Sequence, residues 1–350
     1  MQHSSKPLIV AKQLTKVFRR PDRRPGLTGA ARHLFERRYA ERVAVDRLDL
    51  VVEEGEALAY VGPNGAGKST TIKMMTGILV PTSGEIRVNG IVPHRDRVEN
   101  ARRIGVVFGQ RTQLWWDIPV RDSLELLRDM HGVEQCRYDR TLERLDAVLE
   151  LAPLLPVTAR RLSLGQRMRA DLAAALLHEP PLVYLDEPTI GLDIEVKDRI
   201  RAFVKEIVAE GTTVVLTTHD LGDIEDICRR IVIVDDGRMA FDGALAQVKD
   251  AYARDRCMRL ELAAPPASLE ALSASLPAAS VAPGDHDREV TVTFDRFQLS
   301  ATQVLSTVMR YGELLDVHID EPAIEHVVRL VYAGQLSAGQ SHDGPVEAAA

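Results

Sequence analysis

The chain has 350 residues, 45% of them hydrophobic and 27% charged, which predicts a globular protein with one large domain and a smaller one. The sequence contains no run of 18 uncharged apolar residues and no signal-peptide core, so we expect it neither to span a membrane nor to be secreted. Its three cysteines form no CxxC pair, which argues against a disulfide framework or a zinc site. The net charge of −7 argues against a nucleic-acid partner.

Strand-like and helix-like segments alternate up to about residue 250, which predicts an α/β core. A helical stretch is expected over residues 121–152. Strands are expected at residues 7–18, 43–52, 57–62, 84–90, 104–109, 182–188 and 212–220, and a hairpin at 231–243 with its turn at Asp236 and Gly237. Residues 19–42 contain eight arginines, two prolines and two glycines, and we interpret them as an insertion. The insertion has two open interpretations: contact with anionic lipid or a membrane partner, or a solvated surface segment.

The pattern changes beyond residue 255, where three segments alternate apolar and polar residues with period two. Helix-like stretches at 268–277 and 300–311 separate these strands, which predicts a small α+β domain over residues 255–335. A last helix carries an apolar face at positions i, i+3, i+4 and i+7, formed by Ile324, Val327, Val328 and Val331. Residues 336–350 are rich in Ala, Gly and Ser and are predicted to be disordered.

A phosphate-binding pattern, GxxxxGK[ST], follows an apolar strand and precedes a helix. Glycines let the backbone N–H groups approach phosphate, and the start of a helix adds partial positive charge. Lys68 is expected to reach the β and γ oxygens of a nucleotide, and Ser69 to bind Mg²⁺. The loop comprises Gly62, Pro63, Asn64, Gly65, Ala66, Gly67, Lys68, Ser69 and Thr70.

A second motif, LVYLDEP over residues 182–188, predicts a buried strand with two acidic residues at its carboxyl end. Ligands of doubly wound sheets bind at that end of the strands. We expect Asp186 to hold Mg²⁺, directly or through water, and Glu187 to polarise the attacking water in phosphoryl transfer. Together the two motifs predict a nucleoside triphosphatase that uses Mg²⁺; the family resemblance described next implies that the nucleotide is ATP.

Between these motifs lies LSLGQ, formed by Leu162, Ser163, Leu164, Gly165 and Gln166, which resembles the LSGGQ signature of the ATP-binding cassette family. The sequence departs from the signature only at Leu164, where the family has glycine. The resemblance covers residues 7 to about 250. It implies a P-loop cassette with a mixed sheet and a helical subdomain at about 110–175, spanning residues 1–250, with the α+β domain as an appendage.

The resemblance also implies roles for four further residues. Gln110 matches the Q-loop glutamine near Mg²⁺, Asp193 the D-loop aspartate, and His219 the switch histidine that contacts the γ-phosphate. Phe18 matches the aromatic residue that stacks on adenine, with Tyr39 as the alternative because the arginine-rich segment follows Phe18 directly.

In this family ATP lies between the phosphate loop of one subunit and the signature of another. The chain has one copy of each motif, so the resemblance implies a dimer with a second ATP-binding subunit, and the complete set of catalytic residues favours a homodimer. Binding of ATP is expected to close the pair, and hydrolysis to open it.

About 95 residues separate Lys68 from Ser163, a spacing similar to that of transporter cassettes. The segments GQRTQLWWDIPV and LSLGQRMRADLAAALLHEPPLVYLDEPTIGLD resemble bacterial cassettes that work with ABC-2-type permeases, mostly in export. This implies a peripheral protein on the cytoplasmic face of the inner membrane. Trp115 and Trp116, the chain's only tryptophans, are candidate anchors for a permease helix; the alternative is packing inside the helical subdomain. The alternative function is a soluble cassette ATPase acting on nucleic acid or ribosomes.

Overall fold

The computed structural model describes residues 7–21, 39–109, 111–218, 220–247, 255–266 and 268–320. The chain divides into two compact units, Met1–Asp242 and Gly243–Ala350. The predicted helix at 324–331 and the predicted tail at 336–350 lie outside the described residues, as do residues 248–254, which include the boundary between the two predicted domains.

The secondary structure of the first unit alternates between strands and helices, as the sequence predicts. Its strands are β1 (Pro7–Pro21), β2 (Tyr39–Glu53), β3 (Ala57–Val61), β4 (Ser83–Val88), β5 (Ile104–Phe108), β6 (Leu182–Asp186), β7 (Thr213–Thr217), β8 (Arg230–Asp235) and β9 (Arg238–Ala244), the last of which runs two residues past the boundary at Asp242. Its helices are α1 (Lys68–Met75), α2 (Arg97–Arg102), α3 (Val120–His131), α4 (Gln135–Leu149), α5 (Leu164–Leu176), α6 (Ile194–Ala209) and α7 (Leu221–Ile227).

Strands β2, β1 and β4 form an antiparallel sheet in that order. Strands β1 and β2 pair with several register shifts before Val17 and then regularly out to Pro21 opposite Tyr39, with Phe18 opposite Arg42. Both ends of the arginine-rich segment, predicted as an insertion over 19–42, are therefore part of the sheet, because cross-strand hydrogen bonds continue past Phe18. Residues 22–38 lie outside the described part of the chain.

The second sheet has the order β5-β6-β7-β3-β8-β9. The pairs from β5 to β8 are parallel, so the carboxyl ends of these strands meet at one edge. Every residue of β3 and β7 is buried, which is typical of parallel strands covered on both faces. The loops that follow β3, β5, β6 and β7 therefore converge, and these loops carry the candidate functional residues.

Helices α3, α4 and α5 lie between β5 and β6 in the chain, where the sequence predicts a helical subdomain. The predicted helical stretch over 121–152 is two helices, because Gly132 adopts a left-handed conformation (φ 68°) and ends α3. Within the residues that the structure describes, no helix is long and apolar enough to cross a lipid bilayer.

The second unit contains strands β10 (Asp255–Leu262), β11 (Ala279–Pro283), β12 (Glu289–Asp295) and β13 (Leu314–Asp320) and helices α8 (Leu269–Ser275) and α9 (Ala301–Val308). The chain order is βαββαβ and the antiparallel sheet has the order β11-β12-β10-β13, which is the ferredoxin-like arrangement. Strand β11 was not predicted, since its sequence ASVAP has little β propensity. It forms through pairing with β12 at an edge, where Pro283 is tolerated.

Two stacked histidines connect the helical part of the first unit to β5. The rings of His131, the last residue of α3, and His178, just after α5, lie 3.8 Å apart at an interplanar angle of 18°. The Nε2 atom of His178 lies 3.1 Å from the carbonyl oxygen of Ile104, the first residue of β5. Burial and the neighbouring His131 and Arg137 lower the pKa of His178 to about 4. Burial and Arg102 also lower the pKa of His131.

These shifts predict acid destabilisation. The unfolded chain takes up a proton on His178 near pH 6.5, whereas the folded chain resists protonation down to about pH 4. This contribution to stability is therefore complete above pH 6.5 and is lost as the pH falls towards 4. The variant His178→Gln keeps a donor for Ile104 but does not titrate. Between pH 7 and pH 5 we expect the unaltered chain to lose about 2 kcal/mol more unfolding free energy than this variant, measured by urea denaturation. Parallel pH profiles for the two proteins would contradict the prediction.

Candidate functional site

The phosphate-loop pattern lies between the end of β3 and the start of α1, as the sequence predicts. Gly67, the N-cap of α1, has a φ of 102°, a conformation that strongly favours glycine. The loop is also tightly enclosed. A Cβ atom at Gly67 would lie 2.3 Å from the carbonyl oxygen of Ala44, and one at Gly62 would lie 2.2 Å from that of Val234. The loop is therefore packed against β2 at Gly67 and against β8 at Gly62. Neither position has room for a side chain.

Lys68 is the first residue of α1, and its ammonium group folds back over the loop. It donates to the carbonyl oxygens of Gly62 and Pro63, at 2.5 Å and 3.1 Å. Burial lowers the pKa of Lys68, and the negative charges of Asp186 and Glu187 partly oppose this shift. The lysine is thus a half-buried cation held between the loop and two carboxylates.

The acidic pair lies at the carboxyl end of β6, where Asp186 is the last residue of the strand and Glu187 follows it. Asp186 lies opposite Thr217 in the pairing of β6 with β7, and the hydroxyl of Thr217 donates to its Oδ1 atom. The backbone N–H of Glu187 donates to the carbonyl oxygen of Thr217 at 2.8 Å. Glu187 has a φ of 55°, which is uncommon for a residue with a side chain and marks a sharp turn at the strand end. The bonds to Thr217 therefore hold the backbone that carries the two carboxylates in a fixed position at the strand end.

A cavity of about 600 Å³ brings the phosphate loop and the acidic pair together. Its lining contains five basic and two acidic side chains, a local net charge of +3 in a chain whose overall charge is −7. Phe18 also lines the cavity and is 36% exposed. An aromatic side chain, a basic lining and a glycine-rich loop at the start of a helix suit a nucleotide with its polyphosphate. The lining residues are Phe18, Arg19, Arg42, Ala44, Asn64, Gly65, Gly67, Lys68, Ser69, Thr70, Lys73, Phe108, Gly109, Arg111, Asp186 and Glu187.

The residues that resemble the family signature lie in a different cavity, of about 700 Å³. Ser163, Gly165 and Gln166 line it together with Asp193. None of these four residues lines the phosphate-loop cavity. The structure thus separates the predicted nucleotide-contacting residues of one chain into two sets.

Both helix starts in the signature cavity are capped by predicted site residues. The Ser163 hydroxyl accepts from the N–H of Gln166 at 3.2 Å, and the Gln166 side chain accepts from the N–H of Ser163 at 3.0 Å. This capping box begins α5. Asp193 caps α6 through a single bond, in which its side chain accepts from the N–H of Val196 at 3.0 Å. Leu164 is the first residue of α5, so this position needs no left-handed backbone, and its side chain is 50% exposed.

Two predicted residues, and the side chain of a third, lie outside the described part of the chain. Gln110 and His219 lie outside the described residues, as does the side chain of Tyr39. Their neighbours are described: Gly109 and Arg111 line the phosphate-loop cavity, and Thr218 follows β7 at the same sheet edge.

Comparison with known proteins identifies the family. Residues 45–190 match the family model described as ABC transporter. The chain is 38% identical over 225 residues to the daunorubicin resistance ATP-binding protein DrrA3 of Streptomyces coeruleorubidus, covering 63% of this chain and 70% of the relative. The chain belongs to the ABC transporter ATP-binding proteins. It is also 37% identical over 207 residues to the Nod factor export ATP-binding protein I of Paraburkholderia xenovorans (strain LB400), covering 59% of this chain and 67% of the relative.

Solved structures give the same assignment. The cassette is similar to an ATP-binding subunit of an ABC transporter, with a TM-score of 0.59 and 27% identity, covering 69% of this chain and 92% of that one. It is also similar to the dimeric cassette MJ0796 in a post-hydrolysis state bound to ADP and Pi, with a TM-score of 0.57 and 26% identity, covering 68% of this chain and 98% of that one. The predicted cassette fold and the predicted ATP-binding, ATP-hydrolysing function are confirmed. The alternative of a cassette ATPase acting on nucleic acid or ribosomes is not favoured.

Four basic residues of the cavity were missed from the sequence: Arg19, Arg42, Lys73 and Arg111. Arg42 is the most informative of them. Its Nη2 atom lies 3.6 Å from the point where a Cβ on Gly65 would be, so the guanidinium lies directly over the phosphate loop. Arg42 also lies opposite Phe18 in the β1–β2 pair. An arginine between a ring and a phosphate loop is well placed to pair with phosphate oxygens.

We expect Arg42→Gln to weaken ATP binding about threefold to tenfold, because an exposed ionic contact contributes on the order of 1 kcal/mol. The loss should shrink as salt is added, since salt screens exposed charges. Arg87→Gln, at an exposed arginine of β4 outside the cavity, is the matched control and should leave the Kd unchanged. The measurement is the Kd of each variant for a fluorescent ATP analogue at low and at high salt. Equal Kd values for the two variants would remove Arg42 from the site.

Proposed function

We propose that the chain is the motor subunit of an exporter and works as an ATP-driven dimer on a membrane permease. The separation of the two cavities carries the proposal. One cavity contains the phosphate loop and the acidic pair, and the other contains the signature residues. A second copy that turns its signature cavity towards the phosphate loop would complete the site, and the similar cassette MJ0796 is dimeric.

In the phosphate-loop cavity, the loop amides, the start of α1 and Lys68 would bind the β and γ phosphates. Ser69 and Asp186 line the same wall and supply hydroxyl and carboxylate oxygens, the ligand types that Mg²⁺ prefers, so the donor set fits this ion. We assign Ser69, Asp186 and Gln110 to it. A bound Mg²⁺ would neutralise charge on the phosphate oxygens. Phe18 would stack on the base.

Glu187 would act as the general base. It follows Asp186 directly and lines the phosphate cavity, and its backbone is fixed by the bond to Thr217. A carboxylate held beside a phosphate loop can orient and polarise a water for attack on the γ-phosphate. His219 would contact the γ-phosphate from the loop after β7. The signature residues Ser163, Gly165 and Gln166, with Asp193, would approach the nucleotide bound by the partner copy, because the start of α5 favours an anion.

Replacement of Glu187 tests both the base and the dimer. Glu187→Gln should bind ATP normally but hydrolyse it at least a hundredfold more slowly, because an amide cannot accept the proton. The variant should therefore accumulate as a dimer with ATP and Mg²⁺, seen by light scattering as a doubling of mass. The control is Glu85→Gln, at an exposed residue of β4 that lines neither cavity. A persistent monomer with bound ATP would contradict the homodimer, and unchanged hydrolysis would contradict the role of Glu187.

Export through an ABC-2-type permease is supported by the relatives, one a drug-resistance ATP-binding protein and one a Nod factor export protein. A docking surface is suggested by Trp115 and Trp116, which are 40% and 48% exposed. They follow the Gln110 region, and Arg167 of α5 lies 4.7 Å from the ring of Trp116. Exposed tryptophans are frequent anchors of protein interfaces. We therefore place the protein on the cytoplasmic face of the inner membrane, bound to a permease.

The double variant Trp115→Ala, Trp116→Ala should release the chain from membranes of its source cells, because two aromatic anchors are lost. Sedimentation of membranes followed by immunoblotting measures the bound fraction, which we expect to fall at least tenfold while the Kd for ATP stays unchanged. Phe297→Ala, at a 59% exposed aromatic of the second unit, is the control. Arg167→Gln removes the contact with Trp116 but keeps both indoles. Retained membrane binding, or equal loss of ATP binding, would contradict the docking role.

We also propose the domain boundaries given by the sequence: a cassette over residues 1–250 and an α+β appendage over 255–335. We infer that the arginine-rich segment 19–42 contacts anionic lipid, and its basic charge supports this inference. Release of the chain from anionic vesicles after deletion of residues 22–38 would support the lipid contact, and retained binding would remove it.

A further inference from the structure

A fully buried carboxylate bonds to the loops that follow β6 and β7 and lines neither cavity. Asp223 is the third residue of α7 and its side chain has no exposed surface. A buried carboxylate needs hydrogen-bond donors, because an unpaired charge in the interior is strongly unfavourable. The donors of Asp223 come from three separate parts of the chain.

Two donors are threonine hydroxyls. Thr189, two residues after Glu187, donates to Oδ2 of Asp223 at 2.6 Å. Thr218, the residue after β7, donates to the same oxygen at 3.0 Å. The hydroxyl of Thr218 also accepts from the N–H of Asp220 at 2.9 Å, so it fixes the backbone on both sides of position 219. One carboxylate oxygen thus joins the loop after β6 to the loop after β7.

The third donor is a guanidinium on α6. Arg201 donates through Nε to Oδ1 of Asp223 at 2.7 Å, and through Nη2 to Oδ1 of Asp220 at 3.1 Å. Lys197, one turn earlier on α6, donates to the other oxygen of Asp220 at 2.8 Å. The bond from Lys197 lowers the pKa of Asp220. Helix α6 begins at its cap Asp193 in the signature cavity, so the network links that cavity to the loops around Glu187 and residue 219.

We propose that Asp223 is a positioning residue for hydrolysis, holding the loop after β6, the loop after β7 and α6 in one arrangement. The inference rests on the proposed roles of Glu187 and of the loop around residue 219. Displacement of catalytic groups by about 1 Å lowers a rate by up to roughly 100-fold, because the reacting atoms lose their alignment. None of the hydrogen-bond partners of Asp223 described above belongs to the phosphate loop. We therefore expect the network to affect the rate of the chemical step rather than ATP binding.

Threonine-to-valine changes test the network with little change of shape. Thr189→Val and Thr218→Val each remove one hydroxyl bond to Asp223 and should lower kcat about tenfold. The KM for ATP and the Kd for a fluorescent ATP analogue should stay within about twofold. The double variant should lose less than the product of the two single losses, because both hydroxyls act through the same oxygen.

The matched control is Thr141→Val. Thr141 is also buried and its hydroxyl donates to the carboxylate of Glu179 at 2.8 Å, outside this network. Its kcat should stay within about twofold of the unaltered chain. Thr189→Ser and Thr218→Ser keep the hydroxyl and should restore kcat to within about twofold, which separates the lost bond from a general packing defect.

Three results would overturn the proposal. The first is an unchanged kcat in both valine variants, the second an equal loss in Thr141→Val, and the third a loss of ATP binding that parallels the loss of kcat. The variant Glu187→Gln, measured in the same assay, distinguishes failure of the proposed role of Glu187 from failure of the role of Asp223. If that variant hydrolyses ATP normally, the proposed base is wrong; if it is inactive while the valine variants are fully active, only the role of Asp223 fails.

Discussion

The tight enclosure of the phosphate loop is the constraint on which the rest of the cassette depends. Gly67 fits against the carbonyl oxygen of Ala44 in the antiparallel sheet, and Gly62 fits against that of Val234 in the parallel sheet. The loop is therefore the junction of the two sheets, and their shared apolar core holds it in place. Backbone amides can be preorganised for phosphate only if this junction is rigid, because a mobile loop would lose entropy on binding. The site and the core therefore depend on the same contacts.

The parallel sheet then sets the chemistry. Because the strands run in one direction, the acidic pair after β6 and the threonines after β7 arrive at the edge where the phosphate loop lies. The register of β6 against β7, in which Asp186 pairs with Thr217, fixes the position of the acidic pair along the sheet edge where the phosphate loop lies. The signature, which follows the helical part, lies in another cavity. A single chain therefore carries the phosphate loop and the signature in two separate cavities, and in the proposed dimer the signature would approach the nucleotide of the partner copy.

Sequence patterns predicted the parts of the site that are local in the chain. The phosphate loop and the acidic pair each depend on a strand end and a few adjacent residues, so their spacing alone identified them. Arg42 was missed because its position over Gly65 depends on the pairing of two strands across the arginine-rich segment. Asp223 was missed because a buried acid has no sequence signal until its donors are known. Strand β11 was missed for a related reason, since its neighbour β12 and not its composition makes it a strand.

The departure of the signature at Leu164 can be understood from helix capping. The capping box uses the amides of Ser163 and Gln166, and leaves those of Leu164 and Gly165 without a partner in the box. An amide donor does not depend on the side chain, so leucine in place of glycine keeps the capacity of the helix start to bind an anion. The leucine does add an exposed apolar group to the cavity wall. In the proposed dimer, a partner's nucleotide would meet that group beside the two amides, so Leu164 would alter the fit of the closed pair without removing a hydrogen-bond donor.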